Sequence, residues 1–130
     1  MNKKLNPKSL RIPTKAYSQG VLVENTNKLL FVTGQLPQDG DGNILHIGNC
    51  ERQTELVFER ISKILKEADM AFEDIVKLQI FVNDNTHIET VSAVRDAIFF
   101  DIRPASTLVV VKGFVKDGAC VEIDAVASKI

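Results

Sequence analysis

Long apolar runs and a signal-like leader are both missing from this sequence of 130 residues. No stretch of about 18 consecutive apolar residues occurs, so a membrane-spanning helix is not predicted. The first twenty residues contain no apolar core of the kind that a secretory signal requires. We therefore expect a cytoplasmic protein with no membrane association, folded as a single domain over residues 1–130.

Cysteine and histidine are scarce, with two of each in the chain. Cys50 and Cys120 lie far apart and form no C-x-x-C motif. We expect them to be small buried apolar side chains rather than a disulfide or a metal-binding pair. The spacing of His46 and His87 does not fit a zinc site either. The sequence therefore predicts no metal site.

An excess of positive charge is also missing, because the formal net charge is −1. This balance argues against a nucleic-acid-binding protein. Only the first fifteen residues are locally basic, through the side chains of Lys3, Lys4, Lys8, Arg11 and Lys15. This segment is typical of a solvated arm or an interface element. An RNA-contacting arm is the alternative, although it lacks the interleaved aromatic residues that single-strand binding uses.

The common nucleotide-binding, serine-hydrolase and metalloprotease motifs are absent. The segment DGDGN, residues 39–43, has the alternating oxygen ligands with which a calcium loop begins. However, Ile44 occupies the position of the loop glycine, and Cys50 that of the bidentate acid. We therefore predict a turn.

Apolar periodicity predicts an α+β domain in the order β-β-(β)-α-β-α-β-β, with one sheet and two helices. The bracketed strand belongs to a hairpin around the two Asp-Gly pairs. Asn49 is the expected N-cap of the first helix, and Asp117-Gly118 predicts a hairpin between the last two strands. Helices are predicted over 49–70 and 86–100, and strands over 17–25, 28–36, 74–84, 106–114 and 119–130.

Two of these strands are apolar at consecutive positions, in the segments LLFV, residues 29–32, and TLVVV, residues 107–111. Both faces of such strands favour burial. Two helices can cover only one face of the sheet. We therefore expect a partner subunit on the other face.

Glu122 is the strongest candidate for chemistry among the strand residues. In CVEIDAV, residues 120–126, Val121 and Ile123 share one face of the strand, and Glu122 and Asp124 share the other. Glu122 is either a solvated rim carboxylate or a group that orients a water or a substrate. Tyr17, the only tyrosine, can pack in the core or line a pocket.

Together these segments resemble the reactive-intermediate deaminase family, also called the Rid or YjgF family. The resemblance extends from about Ala16 to Ala127 and rests on the order and spacing of several segments. These are YSQG, FVTGQLPQDGDG, RQTELVFERISKILKEADMAFEDIVKLQIFVND, PASTLVVV and GACVEIDAVA.

The resemblance implies a chorismate-mutase-like fold with a mixed sheet and both helices on one face. It also implies a homotrimer around a central barrel, with clefts between subunits. Members of the RidA branch hydrolyse reactive enamines and imines to 2-oxo acids and ammonia, without a metal or cofactor. The expected ligand is a small molecule bearing a carboxylate. The alternatives are a trimer that binds a metabolite without turnover and, from older family labels, an endoribonuclease or translation inhibitor.

Matched residue by residue, the resemblance gives Glu122 the role of holding the hydrolytic water. Ser92 falls where the RidA branch often has asparagine, and Leu108 falls on a frequent cysteine whose backbone contacts the substrate. The remaining matched pocket positions are Tyr17, Thr33 and Gly34.

The departure from the RidA branch lies at Ser106, where that branch has an arginine that clamps the substrate carboxylate. A guanidinium makes two charge-assisted hydrogen bonds, whereas serine donates a single neutral one. Either Arg103 supplies the missing charge, or the chain belongs to a branch without the established deaminase activity.

Overall fold

The computed structural model describes residues 2–130. The helices are α1 (Cys50–Glu67) and α2 (Ile88–Phe99), and short 3₁₀ turns cover Phe72–Asp74 and Asn85–His87. The strands are β1 (Asn2–Leu5), β2 (Gly20–Val23), β3 (Lys28–Gln35), β4 (Ile75–Val82), β5 (Ala105–Val110) and β6 (Val121–Lys129).

The main sheet has four strands in the order β3-β6-β4-β5. The pairs β3–β6 and β6–β4 are antiparallel, and β4–β5 is parallel, so the sheet is mixed. This confirms the α+β prediction. The prediction of a single sheet was wrong, because β2 pairs instead with β1 in a separate antiparallel ribbon. The basic segment at the start of the chain supplies β1, which the sequence analysis missed.

The predicted hairpin between the last two strands is not formed. Gly118 does adopt a positive φ of 94°, as a turn requires. However, β4 lies between β5 and β6, so the chain crosses over it after the turn. The nearly continuous apolar pattern of β4, with Leu78 and Ile80 fully buried, explains why this strand takes a central place in the sheet.

The segment with two Asp-Gly pairs forms a turn, as predicted. The Asp39 carboxylate accepts hydrogen bonds from the backbone N–H groups of Asp41 and Asn43, both at 2.9 Å. The expected third strand is reduced to one isolated bridge between Gln38 and Ile44.

Both helices contribute to one core against the sheet. α1 begins at Asn49, whose side chain accepts a hydrogen bond from the N–H of Arg52 at 3.0 Å, so the predicted cap is confirmed. The rings of Phe58, Phe72 and Phe99 pack in edge-to-face and tilted arrangements, with centroids 5.4 to 6.4 Å apart. None of the helices in residues 2–130 is long and apolar enough to span a bilayer.

The opposite face of the sheet, which we call the open face, carries exposed apolar side chains. Register places Phe31 and Val109 on this face, together with Glu122 and Asp124. Phe31 is 70% exposed, and Leu29, two residues before it on β3, is 53% exposed. Burial of these side chains against another surface would be favourable.

Cys50 and Cys120 form a disulfide between the start of α1 and the residue before β6, with Cα atoms 5.9 Å apart. The prediction of two unpaired thiols was wrong. The two residues are 70 positions apart in sequence, and only the packing of α1 against the sheet brings them together.

Candidate functional site

Glu122 lies on the open face directly beside Gly34 of β3. A Cβ atom at position 34 would lie 2.9 Å from Cδ of Glu122 and still closer to Oε2. Only glycine leaves space for this carboxyl group, because real Cβ atoms essentially never approach so closely. The two residues that the resemblance assigned to one pocket are therefore in contact.

A β-bulge shapes this part of β3. Val32 pairs with Ala125 and Gln35 with Ile123, so Thr33 and Gly34 together oppose a single residue of β6. Bulges of this kind bend a strand and reorient its side chains, often next to active sites. Thr33 is exposed at this bend, on the same stretch of β3 as Gly34.

The electrostatics of the open face raise the pKa of Glu122 above its ordinary value. Partial burial raises the pKa of Glu122, and the negative charge of Asp124 raises it further. Burial also raises the pKa of Asp124, while the nearby Lys77 lowers it. Lys77 itself donates a hydrogen bond to Oγ1 of Thr107 at 2.8 Å. Glu122 therefore has the less compensated charge and the stronger tendency to hold a proton.

A second group of polar residues meets at the edge strand β5. The segment before β2 lies along this edge, since the N–H of Ser18 bonds to the carbonyl of Pro104 at 3.0 Å. This contact brings the neighbouring Tyr17 to the side of α2. The Arg95 guanidinium lies 5.6 Å from the centre of the Tyr17 ring and donates to Oγ of Ser106 at 3.1 Å.

Arg95 is buried, with only 6% of its surface exposed, and sequence analysis missed it. Its Nε and Nη2 atoms each lie 3.2 Å from Oδ1 of Asp96. The same carboxylate oxygen accepts the N–H of Ala16 at 3.0 Å. The guanidinium is therefore largely neutralised by Asp96, while Nη1 points to Ser106. A guanidinium therefore does reach Ser106, the position where the resemblance implies an arginine in the RidA branch, but it comes from α2.

One pattern in the sequence did contain the signal for Arg95. Val91, Arg95 and Phe99 recur every four residues and all three are buried. A charged residue in such a buried stripe requires a partner, and the adjacent Asp96 is one.

Arg103 makes a different set of contacts. Its Nη1 donates to the carbonyl of Lys15 at 2.6 Å, and its guanidinium lies 5.5 Å from the centre of the Phe100 ring. Its backbone has a positive φ of 53°, and its carbonyl accepts a hydrogen bond from Oγ of Ser18 at 2.6 Å. These contacts join Arg103 to the segment before β2, which includes Tyr17.

The two remaining candidate residues, Ser92 and Leu108, are on the elements that carry Arg95 and Ser106, which are α2 and β5. Ser92 is half-buried, three residues before Arg95 on α2, so both point to the same side of the helix. Leu108 pairs with Ile80 on β4 and contacts the core from the same face of β5 as Ser106.

Within one chain, Glu122 and Ser106 lie on opposite faces of the sheet. Ser106 pairs with the buried Leu78, which places it on the helix-covered face. Glu122 pairs with Phe81 on β4, whose side chain is one residue out of phase with Ile80, so Glu122 lies on the open face. Within one chain the sheet therefore separates Glu122 from Ser106.

A mixed four-stranded sheet covered by two helices on one face, with polar side chains on β3, β5 and β6, defines the chain as a small α+β protein. The sequence model described as endoribonuclease L-PSP matches residues 8–129. Curated relatives include RutC family proteins from Pyrococcus abyssi, 32% identical, and Sulfurisphaera tokodaii, 33% identical. Each alignment covers 90% of this chain and 89% or 90% of the relative. The chain therefore belongs to the endoribonuclease L-PSP family, which is the Rid/YjgF family that the sequence resembles.

Solved structures agree with this assignment. A putative endoribonuclease from Thermotoga maritima is 30% identical, with a TM-score of 0.73 over 100% of this chain and 99% of that one. The Rid protein YyfB from Yersinia pestis has a TM-score of 0.87 over 98% of both chains. Its sequence identity is 20%, so this likeness supports the fold alone.

Proposed function

We propose that this protein hydrolyses small reactive imines or enamines to carbonyl compounds and ammonia, in clefts between the subunits of a homotrimer. The observation that carries the proposal is the partly buried carboxyl group of Glu122 beside Gly34 on the open face. A positioned carboxyl group can act as a general acid and base, and the raised pKa of Glu122 moves it towards the range in which it does both.

The reaction needs two proton movements that a single carboxyl group can provide. A water adds to the imine carbon and forms the C–O bond, while Glu122 takes a proton from that water. The same proton then goes to the nitrogen, which gives a carbinolamine. Glu122 next moves the hydroxyl proton of this intermediate to the amino nitrogen, the C–N bond breaks, and ammonia leaves with a carbonyl group in its place. Gly34 leaves space for the Glu122 carboxyl group on the open face, where it would meet the water.

Ser106, together with Arg95, is the proposed binding site for the carboxylate of the ligand. Ser106 accepts a hydrogen bond from Arg95, so its own O–H can donate to a carboxylate. The positive charge behind it is balanced by Asp96. We therefore expect weaker binding of carboxylates than a free guanidinium would give.

A second copy of the chain is required to bring Glu122 and Ser106 together, because they lie on opposite faces of one sheet. The exposed side chains of Leu29, Phe31 and Val109 favour burial of the open face against such a copy. A homotrimer with sheets around a central barrel, as the resemblance implies, would meet both requirements.

The test couples the protein to an amino-acid oxidase that generates imines in solution, with ammonia release as the readout. We expect acceleration over buffer, and a loss of at least about 100-fold in Glu122→Gln, as for removal of a general acid–base group. Glu67→Gln is the matched control, because Glu67 is exposed in the last turn of α1. If the wild-type protein gives no acceleration, or if both variants behave alike, the proposal is wrong.

A metabolite-binding trimer without turnover is the second candidate, and the pairing of Arg95 with Asp96 favours it. A neutralised guanidinium can hold a ligand loosely without activating it. A 2-oxo acid would then raise the melting temperature of the protein while imines remain unhydrolysed.

A further inference from the structure

We propose that Cys50, His87 and Cys120 form a redox-gated metal site: the reduced protein binds one zinc-like divalent cation there, and the disulfide is the metal-free state. The site is separate from the Glu122 and Ser106 groups, and the proposal does not depend on imine hydrolysis. One ligand atom from each of the three residues lies within 4.8 Å of the others.

Two cysteine sulfur atoms and one histidine nitrogen, this close together, are typical ligands of zinc. Zinc binds thiolate sulfur at about 2.3 Å and imidazole nitrogen at about 2.0–2.1 Å, in tetrahedral geometry. Ligand atoms around such an ion are then about 3.4–3.8 Å apart. The His87 nitrogen lies within 4.8 Å of both sulfur atoms, so metal binding requires a shift of the imidazole of about 1 Å or less and separation of the two sulfur atoms when their bond is reduced.

The backbone around Cys120 is held by contacts that do not involve the disulfide. The buried side chain of Gln53 accepts the N–H of Cys120 at 2.8 Å and donates to the carbonyls of Leu45 and Gly118 at 3.0 and 2.9 Å. Asn83 donates its side-chain amide to Ala119 at 3.2 Å. We therefore expect Cys120 to keep its position after reduction.

The other two ligands are also positioned by secondary structure. Cys50 is the first residue of α1, where the positive end of the helix dipole favours a thiolate. His87 ends the 3₁₀ turn that leads into α2, and its backbone N–H bonds to the carbonyl of Asp84 at 3.1 Å. The Asp84 carboxylate contributes a further negative charge next to the imidazole.

A cavity of about 340 Å³ opens beside these residues and is lined by Asn49, Cys50, Asn83, His87 and Cys120, among others. It gives a metal ion access from solvent. Three protein ligands leave one tetrahedral position facing the cavity, for a water or an exogenous ligand. This is the arrangement of zinc sites that keep an open position rather than of closed structural sites.

The chemistry balances in two steps. A dithiol or phosphine reductant transfers two electrons and the disulfide takes up two protons, which gives two thiols. Zinc then displaces those two protons as it binds both thiolates and the neutral imidazole. A disulfide oxidant then accepts two electrons from the two thiolates and is reduced to thiols, while the Cys50–Cys120 bond forms again and the cation is released.

The experiment titrates Zn²⁺ and, as a spectroscopic probe, Co²⁺ into phosphine-reduced and oxidised protein. We expect one cation per chain in the reduced protein, with a thiolate-to-cobalt absorption band, and binding at least 100-fold weaker after oxidation. His87→Ala should weaken Zn²⁺ binding by about 10-fold or more. The control is His46→Asn, since His46 has a positive φ of 52° that asparagine tolerates.

Three results would overturn the proposal: no binding by the reduced protein, equal binding in both redox states, or a His87→Ala variant that binds Zn²⁺ as tightly as wild type. Far-UV circular dichroism of each sample establishes that the reduced protein and the variants remain folded. All readouts are independent of turnover, so failure here leaves the proposed hydrolysis untouched.

Discussion

The substitution Gly34→Ala should displace the Glu122 carboxyl group with little effect on the stability of the sheet. The new Cβ would lie 2.9 Å from Cδ and 3.2 Å from Cγ of Glu122. Ordinary contact between carbon atoms is about 3.5–4.0 Å, so the carboxyl group must move by about 1 Å. Gly34 does not have a positive φ, so alanine fits the backbone.

The free energy of unfolding should change little. Replacing a glycine inside a strand stabilises by about 0.5–1 kcal/mol. Moving the Glu122 side chain off its preferred rotamer costs about 0.5–1.5 kcal/mol. The net change is within about 1 kcal/mol, which corresponds to a shift of roughly 4 °C in Tm. Turnover, in contrast, should fall by about 100-fold, the usual effect of a 1 Å misplacement of a reacting group.

The assay measures Tm by calorimetry and imine hydrolysis by ammonia release, on wild type, Gly34→Ala and the control Gly40→Ala. No heavy atom lies within 4 Å of a Cβ built at Gly40. The reasoning is refuted if Gly34→Ala keeps full activity. It is also refuted if the variant loses far more than 4 °C in Tm, because the added methyl would then be pressing on the backbone rather than on a movable carboxyl group.

Three further predictions concern stability. Arg95→Met should lower the free energy of unfolding by about 2–3 kcal/mol in urea titrations, because it leaves the Asp96 carboxylate without its cation; a neutral result would mean that the pair contributes nothing. Because its folded pKa is raised, Glu122 binds more protons in the native state, so its ionisation destabilises the fold as pH rises through that pKa. Glu122→Gln should therefore raise Tm relative to wild type at pH 8 but not at pH 4, and equal shifts at both would contradict this. Reducing the bond between Cys50 and Cys120, which are 70 residues apart, should cost about 2–4 kcal/mol in chemical unfolding; no change on reduction would rule out a stabilising disulfide.

Local patterns predicted most of the secondary structure. The cap at Asn49 and the apolar face of β4 depend on neighbouring residues, and both are confirmed. Strand pairing depends on the whole chain. Asp117-Gly118 has the composition of a hairpin turn, yet the central position of β4 prevents the flanking strands from pairing.

In the candidate site, too, the sequence predicted the contacts between motif residues and missed those that depend on distant elements. The contact between Gly34 and Glu122 agrees with the resemblance to the Rid family, whose motifs carry both residues. Arg95 was missed because it belongs to none of those motifs and its partner Ser106 lies on another element. The Cys50–Cys120 bond was missed for a related reason, since sequence spacing does not report proximity between a helix start and a distant strand.

The most direct test of a site shared between two copies is complementation between Glu122→Gln and Ser106→Val chains, mixed by joint unfolding and refolding. Each variant alone should have little imine hydrolysis. In randomly mixed trimers, about a quarter of the clefts would combine an intact Glu122 from one chain with an intact Ser106 from another, and activity should recover to about that fraction of wild type. If the mixed oligomers form and activity stays at the level of the separate variants, Glu122 and Ser106 do not act in one cleft between subunits.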